Sequence, residues 1–293
     1  MKWQKPKIAE EPLQHIASHF LGQKDYEKAE SILQKLRELT PRDATVLVQL
    51  STVYRNLEQD TQLLEIYQEL VTTFLENESY AKALEYCTAI LDHDAENIWA
   101  LEQMIRICER TEKKASIPEL CLRLADIYEK LDDSDHAQEL FERAIETDPG
   151  NARARVEYMH FLVGLHRYEA ASQQARAVVE QMAEERRFAE AIQLVEDLLQ
   201  HTPDDIALRR ALIDICRSAG MEREFITHCT QLINLYYRRN EFPEVVDLYR
   251  ELLEHEPENI TFRTHLIDGL LRLKRRDEAV DQYFELARYY MRR

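Results

Sequence analysis

The sequence predicts an all-α solenoid assembled from one three-helix unit repeated along the chain. Three observations carry that prediction. A short phrase, proline (once alanine) followed two places later by Asn or Asp, recurs at Pro41, Ala95, Pro149, Pro203 and Pro257, each 54 residues after the last. Between these phrases apolar residues return at helical spacing. Glycine is scarce, with 5 in 293 residues, whereas ordinary usage of about 7% gives roughly 20. Sheet hairpins and phosphate-cradling loops therefore both lack the residue they depend on.

The first helix of the unit begins at the phrase itself. Asp43, Asn97, Asn151, Asp205 and Asn259 are residue types whose side chains accept a hydrogen bond from a free N–H at a helix start. The inward face then runs through Leu50, Met104, Tyr158, Leu212 and Leu266, and one turn on through Tyr54, Cys108, Leu162, Cys216 and Leu270. A second helix follows a short turn. Its columns are Tyr67, Cys121, Ala175, Cys229, Tyr283, then Leu70, Leu124, Val178, Leu232, Leu286, then Phe20, Phe74, Tyr128, Met182, Tyr236, Tyr290. The third helix opens at Tyr26, Tyr80, Ser134, Phe188 and Phe242, with the small column Ala29, Ala83, Ala137, Ala191 and Val245 three residues later. It stops at the proline, which cannot continue it and biases the preceding residue out of helical geometry.

These columns predict helices of about 14 to 17 residues, roughly four turns each. They divide the chain into a partial unit 1–40, full units 41–94, 95–148, 149–202 and 203–256, and a partial unit 257–293, together about sixteen helices in one array with no separate linker. No unit can bury its apolar faces alone, so stacking supplies the core. The array stops at RYYMRR with neither a third helix nor a polar cap. The expectation is that it continues in a longer protein or packs on another surface.

Small residues at helix crossings, an aromatic near the end of one helix and a proline after the next resemble the tetratricopeptide repeat. Phe74, Ala83, Ala144 and Pro149 fall in that order, and GLHRYEAA (164–171) has the glycine, tyrosine and alanine of the motif. The period differs: that repeat returns every 34 residues, whereas here 34 + 34 − 14 gives 54, as though the second helix served two pairs. The resemblance covers essentially the whole chain and is shared with many bacterial proteins. It implies a right-handed superhelix of antiparallel helices and a non-catalytic scaffold or adaptor that binds a peptide or partner segment in its groove.

Composition narrows the function further. The formal charge of −17 repels nucleic-acid phosphates and anionic lipid. The N-terminus MKWQKPKIAEEPLQ has no apolar run of a signal peptide, and no stretch approaches the length of a membrane span. Five cysteines without a CxxC pair fit a reducing compartment, so a soluble cytoplasmic protein is expected. His93, His201 and His255 share a column at the end of successive third helices, where a histidine complements the helix dipole and free carbonyls. His15 and His19 have i, i+4 spacing but lack the glutamate of HExxH. The Cys108/Cys121 and Cys216/Cys229 pairs are expected to be buried free thiols, too far offset to bridge. With no GxSxG, P-loop or GxGxxG either, the reading is no enzyme, no metal and no cofactor.

What remains is a surface. The groove-facing columns of the first helices carry Arg55, Arg106, Arg110, Arg153, Arg210, Arg217 and Arg272 against Glu102, Glu109, Asp214 and Asp268. The same columns on the second helices lean acidic. Trp99 and His160 lie among the basic set, and Trp and Arg are favoured in binding hot spots. The candidate site is therefore Arg55, Trp99, Arg106, Arg110, Arg153, His160, Arg210 and Arg217, taking a protein or peptide partner, an acidic segment or a C-terminal carboxylate. Salt bridges to neighbouring helices are the competing account of the same arginines. The alternative role is a self-associating array assembled through the C-terminal end. From Arg263 onward there are eight Lys or Arg against five Asp or Glu, leaving about −20 on the rest.

Overall fold

The computed structural model describes residues 5–292, with side chains from 10 to 291, and places sixteen α-helices among them without a strand. The first helices of the unit are α3 (Ala44–Asn56), α6 (Ile98–Arg110), α9 (Ala152–Gly164), α12 (Ile206–Ala219) and α15 (Ile260–Arg272). The second are α1 (Lys5–Gly22), α4 (Asp60–Glu76), α7 (Ile117–Lys130), α10 (Tyr168–Glu184), α13 (Glu222–Arg239) and α16 (Arg276–Arg292). The third are α2 (Tyr26–Leu39), α5 (Tyr80–His93), α8 (Ser134–Thr147), α11 (Phe188–His201) and α14 (Phe242–His255). First and third helices all start on the 54-residue grid. The second helices α4, α10, α13 and α16 do so too, and a 3₁₀ turn, Lys114–Ser116, takes the first turn ahead of α7. The opening residues 1–4, within the stretch read as lacking a signal peptide, lie outside the described residues, as does Arg293.

The recurring phrase is a stop followed by a start. The last turn of each third helix closes with an N–H from Thr40, Asp94, Asp148, Thr202 or Glu256 to the carbonyl four residues back. That same residue's carbonyl then accepts the N–H of Asp43, Asn97, Asn151, Asp205 or Asn259 at 3.1–3.2 Å. Their side chains cap the next helix: Asp43 accepts from Thr45 N, Asn97 from Ala100 N, Asp205 from Leu208 N and Asn259 from Phe262 N. The proline column has its missing N–H inside this turn, where no helical bond is needed.

The other turns use a left-handed residue, and nine of them are not glycine. Lys24, Glu58, Glu78, Glu112, Asp132, His166, Arg186, Asn240 and Lys274 all have φ between 54° and 62°, joined by Gly220 at 70°. This conformation costs a residue with a Cβ about 1 kcal/mol, offset by the helix packing that each tight turn permits.

Two compact units divide the chain, Met1–Asn151 and Ala152–Arg293. In the first, α1–α8 pack in chain order around Leu33, Leu50, Tyr67, Leu70, Cys87 and Ile90. In the second, α9–α16 do the same around Leu232, Val245, Leu252, Leu266 and Leu270. The small column Ala29, Ala83, Ala137, Ala191 and Val245 is fully buried, which lets the third helices approach their neighbours. One close approach needs glycine: a Cβ on Gly269 would meet Val246 Cγ2 at 3.0 Å.

A second period of 34 residues runs through the ion pairs. Arg42–Glu76, Glu96–Lys130 and Asp204–Arg238 join the residue after the proline column to the end of the second helix. Glu109–Arg143 and Arg217–Glu251 join a first helix to the next third helix. The signs swap from copy to copy while the positions hold.

All five cysteines are buried free thiols. Burial pushes Cys87 and Cys229 up to about 12, and Cys121 and Cys216 to about 11, so none supplies a reactive thiolate near neutral pH. His93, His201 and His255 end their helices, and their rings pack on Tyr67, Tyr168 and Phe225 at 6.4, 5.3 and 4.6 Å. His15 and His19 are exposed on α1. No group of acidic, histidine or cysteine side chains among the described residues is arranged to hold a metal ion.

Candidate functional site

Helix α6 presents two faces. Ala100, Leu101, Ile105 and Cys108 are buried, and this sets the opposite stripe, Trp99, Gln103, Arg106 and Arg110, at i, i+4, i+7 and i+11 along the outside. The stripe meets Thr72, Leu75 and Glu76 of α4 across a groove of about 340 Å³. Trp99 is half-buried at one end, and Arg106 and Arg110 are exposed at the other. Neither arginine makes a hydrogen bond or ion pair among the described residues, and Glu76 is already held by Arg42. The groove therefore holds two uncommitted guanidinium groups beside an apolar indole.

Two larger grooves adjoin it. One of about 900 Å³ shares Thr72, Glu76 and Trp99 and extends along α2 and α4. The other, about 710 Å³, shares Gln103 and Arg106 and lies between α6 and α8. Its rim carries Glu102, Glu109, Glu139, Glu142 and Glu146 against Arg106, Arg143 and His136. The cationic stripe of α6 is thus bordered by carboxylates. Asp133 raises the affinity of His136 for its proton, chiefly by a 2.8 Å hydrogen bond.

The remaining candidates are placed differently. Arg55 donates to the buried Tyr67 hydroxyl at 2.5 Å. In the second unit Arg153 pairs with Glu157 at 2.7 Å, and Arg210 lies over the Tyr236 ring and donates to its hydroxyl at 2.9 Å. Arg217 pairs with Glu251 at 2.7 Å and lies 5.4 Å from the Phe225 centroid. His160 lines a small groove of about 220 Å³ with Met159, Val163, Leu194, Asp197, Leu198 and His201. Arg55, Arg153, Arg210 and Arg217 thus each have an intramolecular partner. Trp99, Arg106 and Arg110 alone among the candidates share one groove in the first unit, together with Gln103, Thr72 and Leu75, which a search for charged columns passed over. The 99–103–106–110 spacing is visible in the sequence, whereas the contribution of α4 depends on how the helices pack.

A tetratricopeptide repeat model matches residues 130–186 and a PPR repeat model matches residues 227–256. Tetratricopeptide repeat protein 21A of Mus musculus is 22% identical over 306 residues, covering 93% of this chain and 22% of that protein. The chain thus spans about a fifth of the length of that curated relative. Among solved structures, the apo form of RapI aligns at a TM-score of 0.36 and 13% identity, over 86% of this chain and 98% of that one. Pseudomonas aeruginosa pilF aligns at 0.30 and 14%, over 80% and 94%. No helix among the described residues is long and apolar enough to cross a membrane. The columns and capped helix starts resemble the tetratricopeptide repeat, whose model matches residues 130–186 of this chain.

Proposed function

We propose that this chain is a non-catalytic adaptor whose α6 stripe binds an acidic segment of a partner protein. Tetratricopeptide proteins generally mediate protein–protein interaction, which gives the class. The observation that carries the finer reading is the pair Arg106 and Arg110, exposed and without partners among the described residues, in a chain of charge −17. Two guanidinium groups one helical turn apart offer forked donors to successive carboxylates, and Trp99 offers an aromatic anchor beside them. The bordering glutamates favour a short acidic motif over a long acidic tract, since carboxylates beyond the stripe would meet like charge.

Fluorescence anisotropy with labelled peptides tests this. The probes are peptides pairing two Asp or Glu residues with a Leu or Phe, and their Asn/Gln counterparts. Binding is expected for the acidic forms only, weakening as salt is raised and falling roughly a hundredfold in Arg106→Glu/Arg110→Glu. Equal binding of acidic and amide peptides overturns the reading. Because a PPR repeat model also matches, single-stranded RNA is run beside the peptides. Helical repeats can read RNA bases with two or three side chains each, so tight, salt-sensitive RNA binding would replace the peptide reading.

A further inference from the structure

We propose that the crevice between α9 and α11 receives an arginine side chain of a partner protein, which completes an ion pair that this copy of the repeat leaves half made. The crevice has a volume of about 220 Å³. Buried Met159 and Leu198 line it together with half-buried Val163 and Leu194, and Asp197, His160 and His201 stand exposed at its rim. Such a site suits a side chain with an apolar stem and a charged head. The stem can lie on the aliphatic lining while the head reaches the carboxylate.

The repeat itself shows which head belongs there. One period earlier Glu109 of α6 pairs with Arg143 of α8, and one period later Arg217 of α12 pairs with Glu251 of α14. At α9 and α11 the same two positions are Val163 and Asp197, so an anion stands there without its guanidinium. Arg217 also lies 5.4 Å from the Phe225 centroid, and the equivalent of Phe225 is Ala171. Val for Arg and Ala for Phe both remove side-chain volume from this crossing. The opposite half-pair occurs at Arg55, which has Ala89 in the partner position, and there the chain supplies the Tyr67 hydroxyl as acceptor. Asp197 receives one hydrogen bond among the described residues, donated by Gln193 Nε2 of its own helix to Oδ1 at 2.9 Å. Its Oδ2 is left without a donor there.

Arginine fits this site better than lysine. Its planar guanidinium offers forked donors to a carboxylate and stacks on flat rings, whereas an ammonium is a compact point charge. His201 supplies such a ring at the rim. It stacks on Tyr168 at 5.3 Å with 12° between the planes, and the Tyr168 hydroxyl lies 2.8 Å from His166 Nδ1. The net charge of −17 favours the approach of a basic segment. The crevice lies wholly within Ala152–Arg293 and takes the opposite charge from the α6 stripe.

The test follows the imidazole NMR resonances of His160 and His201 in the full chain. Three end-blocked peptides are titrated in: Ala-Arg-Ala, Ala-citrulline-Ala and Ala-Lys-Ala. Saturable shifts are expected from the arginine peptide and weaker binding from the lysine peptide. Citrulline keeps the shape of arginine without its charge and is expected to produce no shift. Asp197→Asn, a change at an exposed position checked by circular dichroism, is expected to weaken the arginine peptide roughly tenfold. Val163→Arg is expected to abolish binding, because the introduced guanidinium pairs with Asp197 as Arg217 does with Glu251. The Asp197 variant decides the matter even if the Val163 variant loses helicity. No saturable shift, equal shifts from the citrulline peptide, or unchanged affinity in Asp197→Asn would each overturn the proposal. None of these outcomes alters acidic-peptide binding at Arg106 and Arg110, which is measured separately.

Discussion

Helices α6 and α12 occupy the same place in the repeat and both carry arginines, yet of the two only α6 has cations without a partner among the described residues. On α12, Arg217 is held by Glu251, which lies 34 residues later. The equivalent pair in the first unit is Glu109–Arg143, the same positions with the signs reversed. There the first helix supplies the anion, and its cations fall at 106 and 110, where no described residue meets them. A basic column on a helix is therefore not by itself a binding face. What decides availability is the partner that packing brings to each cation, and copies of one unit can resolve the same pair of positions in opposite senses.

The sharpest test of this contrast exchanges the roles. Arg106→Glu/Arg110→Glu should abolish acidic-peptide binding, roughly a hundredfold weaker, without moving the melting temperature. Arg217→Glu should leave peptide affinity unchanged. Equal losses in both variants would mean that the two units share one binding surface.

The turns differ as well. All five left-handed residues of the first unit are charged non-glycines, whereas the second unit places Gly220 and Asn240 at two of its five. Gly220→Ala should destabilise by about 1 kcal/mol, and Glu58→Gly should stabilise by about 0.5 kcal/mol, read by urea denaturation. Opposite signs would show that the Glu58 turn is held by contacts of its side chain.

A smaller effect is expected from the swapped ion pairs. Arg217→Glu should cost no more than about 1 kcal/mol, because both partners are partly exposed, and Arg217→Glu/Glu251→Arg should restore the loss by reproducing the 109–143 arrangement. Failure of the double variant would show that the contact of Arg217 with Phe225 carries the stabilisation.

The last contrast concerns His228, which stands where the first unit has the buried Ile66 and Leu120. Its Nδ1 is buried without a hydrogen-bond partner, and burial lowers its affinity for a proton, with Glu196 and Gln231 opposing. The unfolded chain then binds the proton more readily. This contribution to stability is complete above the ordinary histidine value near 6.5 and is lost as pH falls through it. His228→Leu should flatten the acid side of the melting-temperature profile. An unchanged profile would assign that slope to the carboxylates.

Much of this molecule is determined by its sequence. The 54-residue grid, the sixteen helices, the Asp and Asn caps, the buried alanine column and the unreactive thiols follow from local rules, since capping, helical period and small-residue crossings act over a few residues and repeat in register. The candidate arginines are legible too, but not which of them have partners. For Arg55, Arg210 and Arg217 that depends on residues 12 to 34 places away, Tyr67, Tyr236 and Glu251, which only the packing of one helix on another brings within reach.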